Sequence, residues 1–225
     1  MDVNLSFWDF SWQIVIPRLW EGLRITLGLT FLSGFFGLFL GLCLSLLRLS
    51  RYKIFSLIAQ IYISLFRGTP LLLQILFIYF ALPPLIEVRL DSYPAGLLAL
   101  SLNSAAYFSE IFRASIQSIP KGQMEAARAL GLSYWTSTFK VIIPQTFKRL
   151  IPPVVNELAA LSKDTSLVSV VALGELLYVT QRIGAKYLRP WEVYIWAALG
   201  YLLVVLALTA VANKLEQKLE AKGGV

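Results

Sequence analysis

Glu157 and Asp164 stand seven residues apart in a largely apolar run, with Leu161 between them, so a helix would place all three on one face. Asn103, Tyr107 and Glu110 follow the same rule in a second apolar run, at i, i+4 and i+7, and Arg113 comes next. Asn156 and Lys163 repeat the seven-residue spacing on a strip beside Glu157. A charged side chain at bilayer depth costs about 2.5–3.5 kcal/mol on insertion scales, so each must face a cavity or a partner. Two polar stripes on separate helices therefore predict a shared polar pocket. Its carboxylates could hold an ammonium or guanidinium group through charge-assisted hydrogen bonds. Asn103, Tyr107, Glu157 and Asp164 are the residues expected near a bound solute. Glu110 and Arg113, closer to the helix end, read as a gate or a helix-tying pair. The competing reading makes all of them structural, as internal ion pairs and interhelical hydrogen bonds.

Other chemistry is excluded or weakened by composition. The chain has no histidine, which removes imidazole bases, His-containing zinc sites and His-based triads. Glu157 with Asp164 is the one plausible acid–base pair, and no metal-ligand cluster accompanies it. A membrane enzyme is thus the weaker class; the expectation is a non-catalytic chain with no cofactor and no metal. Cys43 is the single cysteine and cannot form an internal disulfide. It reads as a small core or lipid-facing residue.

The elements that carry these stripes are membrane spans. The 225 residues are 57% hydrophobic and 15% charged, against about a quarter charged in a soluble domain. Length permits one domain, 1–225. The fold class expected is all-α: a polytopic membrane protein of about five transmembrane helices. A span needs about 20 mostly apolar residues. Segments near 23–47, 54–82, 94–116, one beginning near Leu150, and 191–213 qualify. Between the last two, 165–188 is apolar but short and holds Gly174, Glu175 and Gly184. It is expected to be a re-entrant or broken helix buried in protein; a sixth span is the rival.

The net charge of +7 is read as cytoplasmic loops and not as a nucleic-acid footprint. Residues 1–24 carry −1, loop 48–53 carries +3, loop 83–93 carries −1 and segment 113–149 carries +5. This alternation predicts an outer N-terminus, a cytoplasmic loop 113–149 and a cytoplasmic C-terminus. Segment 162–189 carries +2 on the predicted outer side, so its charges are expected to be paired or to line a cavity. Residues 1–20 lack the basic start of a cleavable signal peptide, and the first apolar run is expected to stay as a span. Trp8, Trp12 and Trp20 suggest an interfacial belt, with a short helix lying flat. Lys222 to Val225 read as a loose tail.

Three local features complete the pattern. Arg67-Gly68-Thr69-Pro70 should break the second span, because proline removes a backbone donor and glycine loosens the turn. Arg67 could then meet a bound carboxylate or an acidic neighbour. Gly34, Gly37 and Gly41 predict close helix packing. In the basic loop, Pro120 suits a first helical turn, and Met124, Ala127 and Leu130 form a small apolar face. Gly131 is placed to end that helix left-handed, and Ser133 to cap the next, which carries Trp135 and Phe139. The Ala126-Ala127 pair would let a partner approach closely.

Glu125-Ala126-Ala127, then Gly131, then Val141-Ile142-Ile143-Pro144 resembles the EAA loop of bacterial ABC importer permeases. Val141 and Ile143 stand where that motif usually has Ile and Leu. Phe66 to Leu71, Asn103-Ser104-Ala105-Ala106-Tyr107 and Lys163-Asp164-Thr165-Ser166-Leu167 narrow the resemblance to the polar amino acid uptake branch. It runs from about Arg18 to Leu219. The resemblance implies a type I importer permease of the bacterial inner membrane. Two permease subunits, identical or homologous, would form the pathway. Each would dock Glu125, Ala126, Ala127, Gly131 and Pro144 onto one of two ABC ATPase subunits. An extracellular binding protein would deliver a polar or basic amino acid. The sequence holds no G-x-x-x-x-G-K-[ST] phosphate loop, so ATP hydrolysis would belong to another chain. An importer of another small polar solute, and a channel or scaffold without ATP coupling, are the alternatives.

Overall fold

The computed structural model describes residues 5–221, and side chains up to Lys218. The tail Lys222–Val225 lies outside the described residues. Among those described, all regular structure is helical. We name the helices α1 (Phe7–Arg48), α2 (Lys53–Gly68), α3 (Leu71–Ile86), α4 (Ser92–Gln117), α5 (Lys121–Ala129), α6 (Tyr134–Val171), α7 (Leu176–Tyr187) and α8 (Pro190–Ala221).

α1 and α8 are each long and apolar enough to cross a bilayer. Two further pairs qualify only when joined across a bend: α2 with α3, at 102°, and α6 with α7, at 52°. α4 has 26 residues, about 39 Å of helix. It is less apolar than a lipid-facing span because it is the bundle's centre. Ala95, Ala99, Leu100, Ser104, Ala105, Ala106 and Ser109 are all buried on it.

Small residues let α1 and α4 meet closely. A Cβ at Gly37 would stand 2.1 Å from Ser104 Oγ, and one at Gly41 would stand 2.7 Å from Phe108 Cβ and 3.0 Å from Ala105 O. The expected packing role of these glycines therefore holds. The core has two parts. One gathers Leu29, Ile75, Leu100, Leu161, Val168 and Leu173 from α1, α3, α4, α6 and the loop after it. The other gathers Phe10, Val15, Leu19, Leu176, Ile183 and Val193. Large apolar side chains such as Phe31, Phe35, Phe39, Leu203 and Leu206 remain exposed, as a lipid-facing or subunit-facing surface requires.

Segment 165–188 is broken, as expected, but only its first half is largely buried; Gln181, Arg182, Ala185, Lys186 and Leu188 are exposed. A 3-10 turn over Thr165–Val171 leads into left-handed Ala172 (φ 56°), and α7 ends at left-handed Leu188 (φ 55°). Glu175 is fully buried and caps α7, accepting from Leu177 N at 2.9 Å, Tyr178 N at 2.7 Å and Tyr201 Oη at 2.7 Å. The positive charges beyond it rest mainly on aromatic rings, Arg182 on Tyr178 and Lys186 on Tyr187. Arg189 pairs with Glu192 at 2.6 Å and covers the Phe10 ring at 4.4 Å.

Four expectations change. The N-terminal segment is no separate flat helix: it extends α1 outward through a π turn at Ser11–Val15. Its anchor is Ser11, which accepts from Trp196 Nε1 at 2.8 Å, while Trp8, Trp12 and Trp20 stay exposed as a belt should. The fourth span does not begin near Leu150. α6 starts at Tyr134 and runs through a π turn over Thr138–Ile142, just before Pro144, which has no N–H to give. Pro120 caps α5 from outside, one residue before its first turn. Leu130 leaves the apolar face of α5: it is 83% exposed, whereas Ala127 is buried and Met124 half-buried.

Candidate functional site

The site begins with a missing hydrogen bond. Pro70 has no N–H, so the carbonyl of Phe66, four residues back, loses its helical partner. Gln74 replaces it. Its Nε2 donates to Phe66 O at 2.9 Å, to Thr69 O at 3.1 Å and to Thr69 Oγ1 at 2.9 Å. Asn103 then donates from Nδ2 to Gln74 Oε1 at 3.0 Å and to Phe66 O at 3.3 Å. This amide network fixes the 102° turn between α2 and α3 against α4.

The turn forms one wall of a cleft of about 390 Å³. Thr69, Pro70 and Leu71 line it from the break, Asn103 and Tyr107 from α4, and Glu157, Ala160 and Asp164 from α6. The four residues expected in a shared pocket are thus brought together. Glu157 and Asp164 are half-buried, and neither has an ion-pair or side-chain hydrogen-bond partner among the described residues. Asn103 serves the backbone network as well as the cleft, so the structural reading also holds for its amide nitrogen. Asn156 and Lys163 point out of the protein as exposed residues.

Arg67 lies beside the cleft and not in its lining. Its guanidinium sits 5.2 Å over the Tyr107 ring and 4.0 Å from Glu110. Glu110 is held most closely by Arg113, at 2.7 Å, with Arg48 at 3.8 Å. It thereby joins α1, α2 and α4. Arg113 also donates to Gln117 Oε1 at 2.6 Å.

At the far end of α4 the basic loop folds as a capped helical hairpin. Gly131 has φ +83°. Leu132 N donates to Ala127 O at 3.2 Å and Gly131 N to Arg128 O at 3.0 Å, the paired bonds of a Schellman ending. Ser133 Oγ accepts from Thr136 N at 3.2 Å and caps α6. Gln145 reaches across to Gln123 at 3.2 Å, fixing α5 on α6. Glu125, Ala126, Gly131 and Pro144 are exposed, and Ala127 is turned inward. Leu130, Tyr134, Trp135 and Phe139 add an exposed apolar surface beside them.

Sequence reasoning missed Gln74 altogether and gave Glu175 no role. A polar residue four places after a proline is the signal that could have found the first.

Residues 33–221 match the family described as binding-protein-dependent transport system inner membrane component. The chain is 45% identical over 214 residues to the arginine transport system permease protein ArtQ of Bacillus subtilis (strain 168), covering 95% of this chain and 98% of that relative. It is 37% identical over 216 residues to the glutamine transport system permease protein GlnP of Escherichia coli (strain K12), covering 94% and 99%. Among solved structures, one of an amino acid ABC transporter with histidines superposes with a TM-score of 0.87 at 35% identity, over 96% of this chain and 99% of that one. An inward-facing MetNI methionine ABC transporter shares the fold, with a TM-score of 0.76 at 19% identity over 91% and 97%.

Proposed function

This chain belongs to the family of binding-protein-dependent transport system inner membrane components, and we propose that it forms the translocation pathway of an ATP-driven importer of polar amino acids, basic ones included. The observation that carries this reading is the cleft with two half-buried carboxylates, neither of them in an ion pair among the described residues. A membrane interior disfavours such a pair unless a cation arrives. Every amino acid brings an α-ammonium, and a basic one brings a second positive group. Glu157 and Asp164 would hold these, with Asn103 and Tyr107 shaping the cleft and Arg67 near enough to draw the carboxylate end. Relatives named for arginine and glutamine transport share the amino acid backbone as the common demand.

The work would come from outside the chain. Two ATPase subunits closing on ATP would press on Glu125, Ala126, Ala127 and Gly131, with Pro144 at the base of the knob. α5 sits between α4 and α6, the two helices that carry the polar cleft, so a push there moves the cleft walls relative to each other. A second permease subunit would close the pathway, and a binding protein would load it from outside. The N-terminus would lie outside and the C-terminus in the cytoplasm of a bacterial cell. The chain itself would do no catalysis.

Equilibrium binding of radiolabelled arginine to the permease–ATPase complex in nanodiscs, without binding protein, tests the site. Glu157→Gln and Asp164→Asn should each weaken binding on the order of tenfold or more, the value of a charge-assisted hydrogen bond. Unchanged affinity in both variants would remove these carboxylates from the substrate.

A further inference from the structure

A second polar pocket lies below the cleft. It holds about 160 Å³ and is lined by Arg48 from α1, Gln60, Ser64 and Arg67 from α2, and Glu110 from α4, with Ile63 as its apolar wall. Its charge is the reverse of the cleft's. Three guanidiniums, Arg48, Arg67 and Arg113, converge on one carboxylate, Glu110. Arg113 takes that carboxylate at hydrogen-bonding distance, 2.7 Å. Arg48 and Arg67 stand back at 3.8 and 4.0 Å and make no hydrogen bond among the described residues. Two forked donor sets therefore face the pocket with positive charge to spare. Guanidinium forks match a planar oxyanion, and Gln60 and Ser64 stand on the same face of α2 to add neutral hydrogen bonds.

Position gives this surplus a meaning. Glu110 lies seven residues beyond Asn103 along α4, about 10 Å toward the end that carries α5. Arg67 touches both places, packing on Tyr107 of the cleft and facing Glu110 of the pocket. We infer that the Arg48–Gln60–Ser64–Arg67–Glu110 pocket is a second station on the pathway, one that takes the carboxylate of the solute as it leaves the acidic cleft. This rests on the reading of the cleft given above. A solute with a cation at one end and a carboxylate at the other meets matched charge twice, first cation-selecting and then anion-selecting. Glu110 gathers the arginines when the station is empty and competes with the solute for them, so binding there stays weak enough for release.

The same nanodisc assay tests the station. With the cleft disabled by Glu157→Gln and Asp164→Asn together, weaker arginine binding should remain. Propionate, a bare carboxylate, should displace it; agmatine, which is arginine without its carboxylate, should not. Adding Arg48→Gln should weaken this residual binding by about tenfold or more, and Arg48→Lys should recover part of it. No residual binding in the double variant, displacement by agmatine as good as by arginine, or no effect of Arg48→Gln in a complex that still elutes intact would each overturn the inference. So would displacement by inorganic phosphate or by phosphatidylglycerol in the nanodisc with none by propionate, because the pocket would then serve a phosphate or lipid headgroup. The two readings fail separately: the cleft fails if the double variant binds like wild type, the station if Arg48→Gln changes nothing in either background.

Discussion

A charge in an apolar run announces itself, and a neutral amide does not. Glu157 and Asp164 were legible because ionised groups are rare at membrane depth and their spacing puts them on one helical face. Gln74 carries as much of the site's architecture, yet its partners exist only after the chain has turned at Pro70 and stranded the Phe66 carbonyl. No spacing rule records a bond to a backbone atom freed elsewhere. Gln74→Leu should therefore leave Phe66 O with Asn103 alone and Thr69 O with no side-chain donor. A buried acceptor without a partner costs about 1–3 kcal/mol. We expect Gln74→Leu to lower the thermal midpoint of the purified complex and to weaken arginine binding by loosening the cleft wall. Asn103→Ala should cost less stability, because Gln74 still serves Phe66. If Gln74→Leu melts like wild type, the turn is held by packing and not by the amide network.

Helix existence was readable from apolar runs, and helix boundaries and bends were not. The spans at 94–116 and 191–213 appear as α4 and α8 with small extensions. The sequence places the fourth span from near Leu150, whereas α6 begins at Tyr134; a π turn precedes Pro144 and the helix continues through it. The glycine positions were legible in kind but not in severity. At Gly41 an added methyl meets the backbone of α4 as well as Phe108, whereas at Gly37 it meets chiefly the movable Ser104 hydroxyl. Gly41→Ala should cost about 1–3 kcal/mol by overpacking and Gly37→Ala less; thermal unfolding of the two variants ranks them, and equal loss would refute the backbone argument. Gly131 poses a different demand. Nothing stands within 4 Å of a Cβ there, but φ is +83°, a conformation that costs an L-residue about 1–2 kcal/mol. Gly131→Ala should fray the Schellman ending and lower substrate-stimulated ATP hydrolysis, with Gly131→Asn closer to wild type because Asn tolerates that region. Full activity in Gly131→Ala would mean that the shape of the knob does not matter to coupling.

Over the whole molecule, α1 fixes which features lie at opposite ends. Its first turns, through Phe10, Val15 and Leu19, pack with Leu176, Ile183 and Val193, and its last residue, Arg48, faces Glu110 near the end of α4. The 42 residues of α1 extend about 63 Å, well beyond a hydrocarbon core of about 30 Å. A helix of that length would carry the α5 knob and the Leu188 turn to different sides of a bilayer. Loop charge alone left one contradiction, the +2 of segment 162–189 on the predicted outer side. The fold explains how that charge is tolerated: Glu175 is spent as a helix cap, Arg189 pairs with Glu192, and Arg182 and Lys186 rest on tyrosine rings. None of these groups needs the cytoplasmic side. A labelling experiment decides the orientation. In a Cys43→Ser background, Leu188→Cys should react with a membrane-impermeant maleimide on intact spheroplasts, since Leu188 is 84% exposed. Leu130→Cys, equally open at 83%, should react only in inside-out vesicles, and added ATPase subunit should protect it. The opposite pattern would put the coupling knob outside the cell, where no ATP-driven subunit can reach it, and the importer reading would fall with it.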